Sequence, residues 1–343
     1  MVFSVLIIKT GALGDVLRTT FLLLGLKKKY EGCYISWLTS NRAKELLENN
    51  PLIDKIYTIE KEDIPSSFDF VLSLDDDKES AEVATKVNKN KMTGAYIKEG
   101  KVVYTKDSSD WFGMGLLRSE EYGGLEEANK IKKSNKKTYH EIMSKIAGID
   151  YDKDKPILNL TKEEIKFGDD FAKKNGIKNS DLVIGINTGA GKRWQLKSWS
   201  IENTAKLASV LRKKFEAKVI ILGGNDEAER NKEIIELANK EVIDGGTNNT
   251  LRQFSAIINI CDMIVTSDTL AMFIALSLNK KVVVLMGPTS DAEIDLFGLG
   301  KKISSGLSCL CCYKRRCDIK PNCMDLIKVE EIYSAIKEQL KDG

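Results

Sequence analysis

The chain has 343 residues, more than one hydrophobic core comfortably organises, so two domains are expected. Its 53 basic and 50 acidic residues nearly cancel and are spread along the chain, which removes the electrostatic case for a nucleic-acid partner. The apolar start is broken at Lys9 with no small-residue cleavage site after it, and no uncharged run reaches membrane-spanning length, so a cytoplasmic protein is expected.

Val2–Ile8 reads as a buried strand, and Lys9-Thr10-Gly11-Ala12-Leu13-Gly14-Asp15 turns it into a helix from about Val16 to Lys29. Gly11 and Gly14 would let the backbone approach a ligand or take a positive φ, and Asp15 sits at the helix entry, where the dipole favours negative charge. The turn lacks the Gly-x-Gly-x-x-Gly spacing of a dinucleotide site. Further strands are predicted over Tyr34–Leu38, Lys55–Ile59, Phe70–Leu74 and Met92–Tyr96, with helices over Arg42–Glu48 and Glu79–Val87 between them. Such alternation implies a parallel, doubly wound α/β sheet. Asp75-Asp76-Asp77 carries the Asp-x-Asp spacing of metal-nucleotide sites, but it ends a strand of the first half, so acceptor contact or helix capping is the preferred reading.

Residues 98–150 interrupt the pattern: a hairpin arm at Lys98–Tyr104, then Trp111-Phe112-Gly113-Met114-Gly115, then a basic helical stretch to Ile149. This is read as an insertion whose Arg118, Lys130, Lys132, Lys133, Lys136 and Lys137 form a solvated face or a contact with an acceptor or a membrane surface. The one histidine, His140, is placed on the surface of an amphipathic helix. A domain boundary is set at residues 150–156.

The second alternation starts with a helix at Lys162–Lys174. The strand Leu182–Asn187 runs into Thr188-Gly189-Ala190-Gly191-Lys192-Arg193-Trp194, a glycine-rich turn with two cations suited to phosphate. Trp194 either lies against a base or ribose or packs in the core. Ile201–Phe215 is an amphipathic helix, Lys218–Leu222 a strand ending in Gly223-Gly224, and Asp226–Asn239 and Leu251–Cys261 are helices. Met263–Val265, the turn Thr266–Thr269, the apolar helix Leu270–Leu278 and the strand Lys281–Met286 then make a βαβ unit. At that helix start Asp268 and Thr269 either cap the helix or help it hold an anion such as a phosphate. Val329–Leu340 carries the stripe of a packed terminal helix.

Five cysteines close the second half: Cys309, Cys311, Cys312, Cys317 and Cys323. Their C-x-C-C-x4-C-x5-C spacing allows a structural zinc or iron–sulfur site that pins the loop, or a set of thiols; Cys33 and Cys261 read as small core residues.

Taken in order, residues 6–17, Asn187-Thr188-Gly189-Ala190 with Lys192-Arg193-Trp194, Leu222-Gly223-Gly224, Thr266-Ser267-Asp268-Thr269 and Leu285-Met286-Gly287-Pro288-Thr289 resemble family 9 glycosyltransferases. That family holds the bacterial ADP-heptose:lipopolysaccharide heptosyltransferases and their relatives. The resemblance implies a GT-B fold, two Rossmann-like doubly wound domains facing across a cleft. Residues 1–155 would bind the acceptor and 156–325 the nucleotide-sugar, with 326–343 a helix packing back on the first domain. It implies an inverting, metal-independent transfer of a heptose-like sugar from a nucleotide-diphosphate donor to a lipopolysaccharide-like, surface or lipid-linked glycan.

By the same resemblance Asp15 matches the catalytic base. Thr188, Gly189 and Lys192 match the phosphate-binding turn, with Arg193, Gly223 and Gly224 beside them on the donor side, and Asp268, Thr269, Leu270 and Ala271 match the helix start that holds the donor diphosphate. Gly11, Gly14 and Asp75 fall on the acceptor side. Leu270 and Phe273 stand where the family usually has Gly and His. Two other readings share the architecture: a non-catalytic nucleotide-sugar-binding protein, and a sugar-nucleotide epimerase or hydrolase.

Overall fold

The structure, a computed structural model, describes residues 2–60 and 63–341. The chain divides into two compact units. The first takes the chain through Asn159 and also the later segment Ala292–Asp295; the second takes Leu160–Asp291 and the chain from Leu296 onward.

In the first unit the elements run β1 (Ser4–Ile8), α1 (Leu13–Thr19), α2 (Leu22–Lys29), β2 (Tyr34–Thr39), α3 (Asn41–Leu47), β3 (Lys55–Thr58), β4 (Ser67–Ser73) and α4 (Lys78–Lys86). They continue through β5 (Asn88–Lys98), β6 (Lys101–Tyr104), α5 (Ser109–Phe112), α6 (Gly124–Ser134) and α7 (Tyr139–Ala147). The sheet order is β3-β2-β1-β4-β5-β6, parallel except for the β5–β6 hairpin. β1 shows why its sequence is an unbroken apolar run. Val5 and Ile7 enter one core and Leu6 and Ile8 the other, so both faces are buried.

The helix expected over 16–29 breaks at Thr20, whose hydroxyl donates to Leu17 O (2.7 Å) and accepts from Ile157 N–H (2.7 Å). The stretch read as an insertion is part of the core: Tyr139, Ile142, Met143 and Ile146 of α7 pack with Val5, Phe21 and Leu26. His140, placed on the surface from sequence, is 2 % exposed and 4.2 Å from the Phe21 ring, centroid to centroid. Burial, with the charge of Arg18, pushes its pKa down to about 3 against the opposing pull of Asp295.

The second unit runs α8 (Lys162–Lys174), β7 (Val183–Asn187), α9 (Ile201–Phe215), β8 (Lys218–Leu222), α10 (Ala228–Leu237) and β9 (Ile243–Asp244). After these come α11 (Leu251–Asn259), β10 (Met263–Ser267), α12 (Leu270–Ser277), β11 (Lys281–Met286), β12 (Gly300–Ser304) and α13 (Val329–Lys341). Its sheet is wholly parallel, in the order β12-β11-β10-β7-β8-β9. Thr161 and Glu164 begin α8 with a reciprocal capping box, and Glu164 also pairs with Arg252 of α11 (2.6 Å). α13, expected on the first unit, packs in the second. Its stripe of Val329, Ile332, Ala335 and Ile336 completes the core formed by Leu207 and Leu211 of α9 and Val283 and Leu285 of β11.

In each sheet the strand order reverses once, between β1 and β4 and between β7 and β10. Loops at the carboxyl ends of those strands part there and leave room for a ligand. Among the described residues no helix is long and apolar enough to cross a membrane.

Candidate functional site

At the first switch point, the loop after β4 clamps the turn after β1. Asp75 is buried, and its carboxylate takes the Lys9 ammonium, the Thr10 N–H, the Thr10 hydroxyl (2.9 Å) and the Gly11 N–H (3.1 Å). Burial opposes ionising either partner. The Lys9 charge, its hydrogen bond and the two backbone N–H groups outweigh it at Asp75 and hold that pKa below the usual carboxylate range. Burial is likewise outweighed at Lys9, chiefly by Asp75 and then by Asp15 and Tyr139, which hold it above the usual lysine range. Asp75 thus ties down the turn through Lys9, Thr10 and Gly11. Asp77 caps α4, accepting from Ser80 N–H (2.9 Å), so two carboxylates of the Asp-x-Asp run have structural partners. Gly11 takes no positive φ, and a Cβ there would meet nothing within 4 Å, so bare backbone faces open space. Gly14 lies in the first turn of α1.

Asp15 occupies that same turn of α1. Its side chain is 34 % exposed, whereas Arg18, whose Nε lies 3.0 Å from Asp15 Oδ1, is 7 % exposed. The Arg18 guanidinium carbon sits 3.6 Å from the centroid of the Tyr139 ring. The α1 turn therefore presents a reachable carboxylate backed by a buried cation. In the basic stretch after Gly115, Lys130 pairs with Glu126 (3.1 Å), Lys137 and Lys145 share Asp110, and Arg118 donates to Tyr122 O (2.7 Å).

The second switch point is built from the turns after β7, β8 and β10. Thr188 is buried; its N–H bonds Leu222 O (3.1 Å) and its hydroxyl donates to Asn231 Oδ1 (2.5 Å). Glu227, unremarked in the sequence, staples two glycine turns by accepting from Gly191 N–H (3.1 Å) and Gly224 N–H (2.9 Å). Gly189 and Gly223 are required by it, since a Cβ on either would run into the Glu227 side chain. Arg230 adds a second tie, donating to Thr188 O (3.0 Å) and Trp199 O. Lys192 is 83 % exposed and pairs with Asp226 (3.4 Å), while Arg193 lies 5.7 Å from the Trp194 ring.

The cation that reaches the helix start is Lys197, which the sequence reading passed over. Its Nζ donates to Asp268 O and Oδ2 (both 2.8 Å), and the two side chains are 12 % and 15 % exposed. Thr289 Oγ1 donates to the same carboxylate oxygen (2.8 Å). Asp268 thus balances Lys197 and does not cap α12. The residue at the N-cap is Thr269, and no side chain caps it; its hydroxyl lies 3.0 Å from that of Thr266. Asn187 Nδ2 joins the turns by donating to Gly189 O (2.9 Å) and Thr266 Oγ1 (3.3 Å). A small cavity here is lined by Asn187, Thr188, Lys197, Trp199, Thr266 and Ser267, with apolar strand residues below. Leu270 and Ala271 form the first turn of α12, and Phe273 is buried beneath it, so its departure from the family pattern is absorbed by packing.

The cysteine loop, whose spacing left a structural metal site or a set of thiols open, is present as thiols. All seven cysteines are free thiols, and among the described residues no three His, Cys, Asp or Glu side chains are placed to hold a metal ion. The loop is fastened instead by Tyr313, whose N–H donates to Pro288 O (2.8 Å) and whose hydroxyl accepts from Ser290 N–H (3.2 Å). Cys33 and Cys261 are buried core residues, as read, and burial pushes the Cys261 thiol up to about 12.

A family model described as glycosyltransferase family 9 (heptosyltransferase) matches residues 115–322. The lipopolysaccharide heptosyltransferase 1 of Campylobacter coli is 23% identical, over 99% of this chain and 99% of its own. Among solved structures, the glycosyl transferase family 9 protein of Veillonella parvula has a TM-score of 0.77 at 18% identity, covering 99% of this chain and 98% of that one. The E. coli ADP-heptose lps heptosyltransferase II has a TM-score of 0.67 at 19% identity, covering 99% of both. With two doubly wound units of mainly parallel strands, the chain has the Rossmann-like pair of the GT-B fold.

Proposed function

Because the chain belongs to glycosyltransferase family 9 and is a glycosyltransferase, we propose that it moves a heptose-like sugar from an ADP-linked donor to a lipopolysaccharide-type acceptor, with inversion. The named substrates are those of the relatives it resembles. In this reading the first unit takes the acceptor and the second the donor. An acceptor hydroxyl oxygen attacks the anomeric carbon, the bond from that carbon to the diphosphate breaks, the nucleoside diphosphate leaves with the electron pair, and Asp15 takes the hydroxyl proton. A carboxylate suits that task because the hydroxyl becomes strongly acidic only as its new bond forms. The leaving diphosphate would meet the uncapped start of α12 at Thr269, Leu270 and Ala271 and the Lys197 ammonium, which offset its charge without a metal. Thr188, Gly189, Gly223 and Gly224 shape that turn, and Lys192 and Arg193 lie at its exposed rim.

The observation that carries the reading is Asp15, a reachable carboxylate in the first turn of a helix at a switch point, with the buried Arg18 guanidinium against one of its oxygens. Asp15→Asn should keep donor binding, followed by thermal stabilisation with ADP, and lose about 10²- to 10⁴-fold in turnover. Unchanged turnover ends the assignment. A membrane-anchored acceptor would draw the enzyme to the inner face of the membrane, where acceptor binding should weaken as salt rises.

A further inference from the structure

Resting on Asp15 as the base, we propose that Arg18, held over the Tyr139 ring, is the positioning residue that fixes the Asp15 carboxylate and leaves Oδ2 as the oxygen that takes the proton. An exposed Asp–Arg pair three residues apart on a helix holds little, because both side chains wander and water screens them. This pair is different on its cationic side. The guanidinium carbon is 3.6 Å from the Tyr139 ring centroid and 5.6 Å from that of Trp111, and those two rings meet edge to face at 5.1 Å. A guanidinium held that close over a ring loses rotamer freedom before it meets the carboxylate.

Tyr139 is itself fixed at three points. Its hydroxyl lies 2.6 Å from Thr19 Oγ1, its N–H donates to Glu293 O (3.0 Å), and it begins α7 inside the Thr138–Glu141 capping box. Thr19 Oγ1 also donates to the Asp15 carbonyl (2.6 Å). The residue is therefore gripped twice from one platform, at its carbonyl through Thr19 and at its carboxylate through Arg18. Arg18 Nε approaches Oδ1 at 3.0 Å by charge, without the alignment of a straight hydrogen bond. Oδ1 faces this cation, and the opposite oxygen remains for the acceptor hydroxyl. Arg18 is too buried to serve as a surface contact for an acceptor.

The experiment measures kcat and both KM values for Arg18→Gln, Arg18→Lys and Tyr139→Phe beside Asp15→Asn. Misplacing a reacting group by about 1 Å costs about 10²-fold in rate, so Arg18→Gln should lower kcat by about that factor with both KM values held. Arg18→Lys should recover part of the loss by restoring charge, and Tyr139→Phe should lower kcat less. If both Arg18 variants keep wild-type kcat while Asp15→Asn is dead, the positioning role is overturned and the base survives. If Asp15→Asn is active, the underlying reading fails first. A raised acceptor KM at unchanged kcat would make Arg18 a binding contact and overturn the proposal. Should the Arg18 variants fail to fold, Tyr139→Phe decides: a kcat loss at constant KM supports the proposal and wild-type kcat refutes it.

Discussion

The β1–α1 turn of the first unit and the β10–α12 turn of the second lie beside the switch points of their own sheets, and each is held by a carboxylate–ammonium pair shielded from water. In the first, the clamping acid is Asp75, supplied by the loop after the neighbouring strand β4, and the helix-entry Asp15 is left reachable. In the second, the acid just before the helix, Asp268, is itself the clamp, and what is left reachable is an uncapped helix start with Lys197 beside it. The source of the clamping acid thus decides the sign each turn shows: negative from one unit, amide N–H and ammonium from the other. In the function proposed above, the first would supply the base and the second would neutralise the leaving group.

The strongest way to break the contrast is Asp75→Asn, which leaves the Lys9 ammonium buried without its carboxylate. The expected loss is about 3–5 kcal/mol of stability, read by urea denaturation, and Lys9→Met in the same chain should return part of it. A loss below about 1 kcal/mol would remove the clamp from the account. The pH dependence has a fixed sign. Because the folded Asp75 pKa is depressed, its contribution is complete above the ordinary Asp value of about 3.9 and is lost as pH falls through the folded value. The acid limb of the wild-type stability profile should be steeper than that of Asp75→Asn.

On the other turn, Lys197→Met should weaken binding of ADP by about 1.5–3 kcal/mol, the worth of a charge-assisted hydrogen bond, measured by calorimetry. Unchanged affinity would show that α12 alone meets the diphosphate. The smallest effect is expected at Lys192→Ala, which removes an exposed cation paired only at 3.4 Å and should change ADP binding and stability by less than about 0.5 kcal/mol. A larger loss than at Lys197 would reverse the order of the two lysines.

Much of both sheets was legible because β1, β7 and β11 are apolar at every buried position, and β10 is apolar from Met263 to Val265. Edge strands gave less away: β9 is two residues long, and β12 reads Gly-Lys-Lys-Ile-Ser, a strand only by pairing with β11. The position of Asp15 in the first turn of a helix was readable from its place after a strand and a turn. Lys197 was not, because nothing in Lys192-Arg193-Trp194-Gln195-Leu196-Lys197 says which cation turns inward. The short 3-10 turn, with Trp194 at non-helical angles, leaves the first two outward and brings the last to Asp268. His140 misled for a related reason: α7 is buried almost all round, and a polar letter on such a helix looks like a surface position.

Ala292–Asp295 belongs by its packing to the half it does not adjoin in sequence, with Glu293 O receiving the Tyr139 N–H and Asp295 receiving the Tyr151 hydroxyl (2.6 Å). Hybrids spliced near residue 160 from two such enzymes would therefore inherit a four-residue patch from the wrong parent. Recombination that respects inheritance by contact, moving 292–295 together with the amino-terminal parent, should give the viable chimeras.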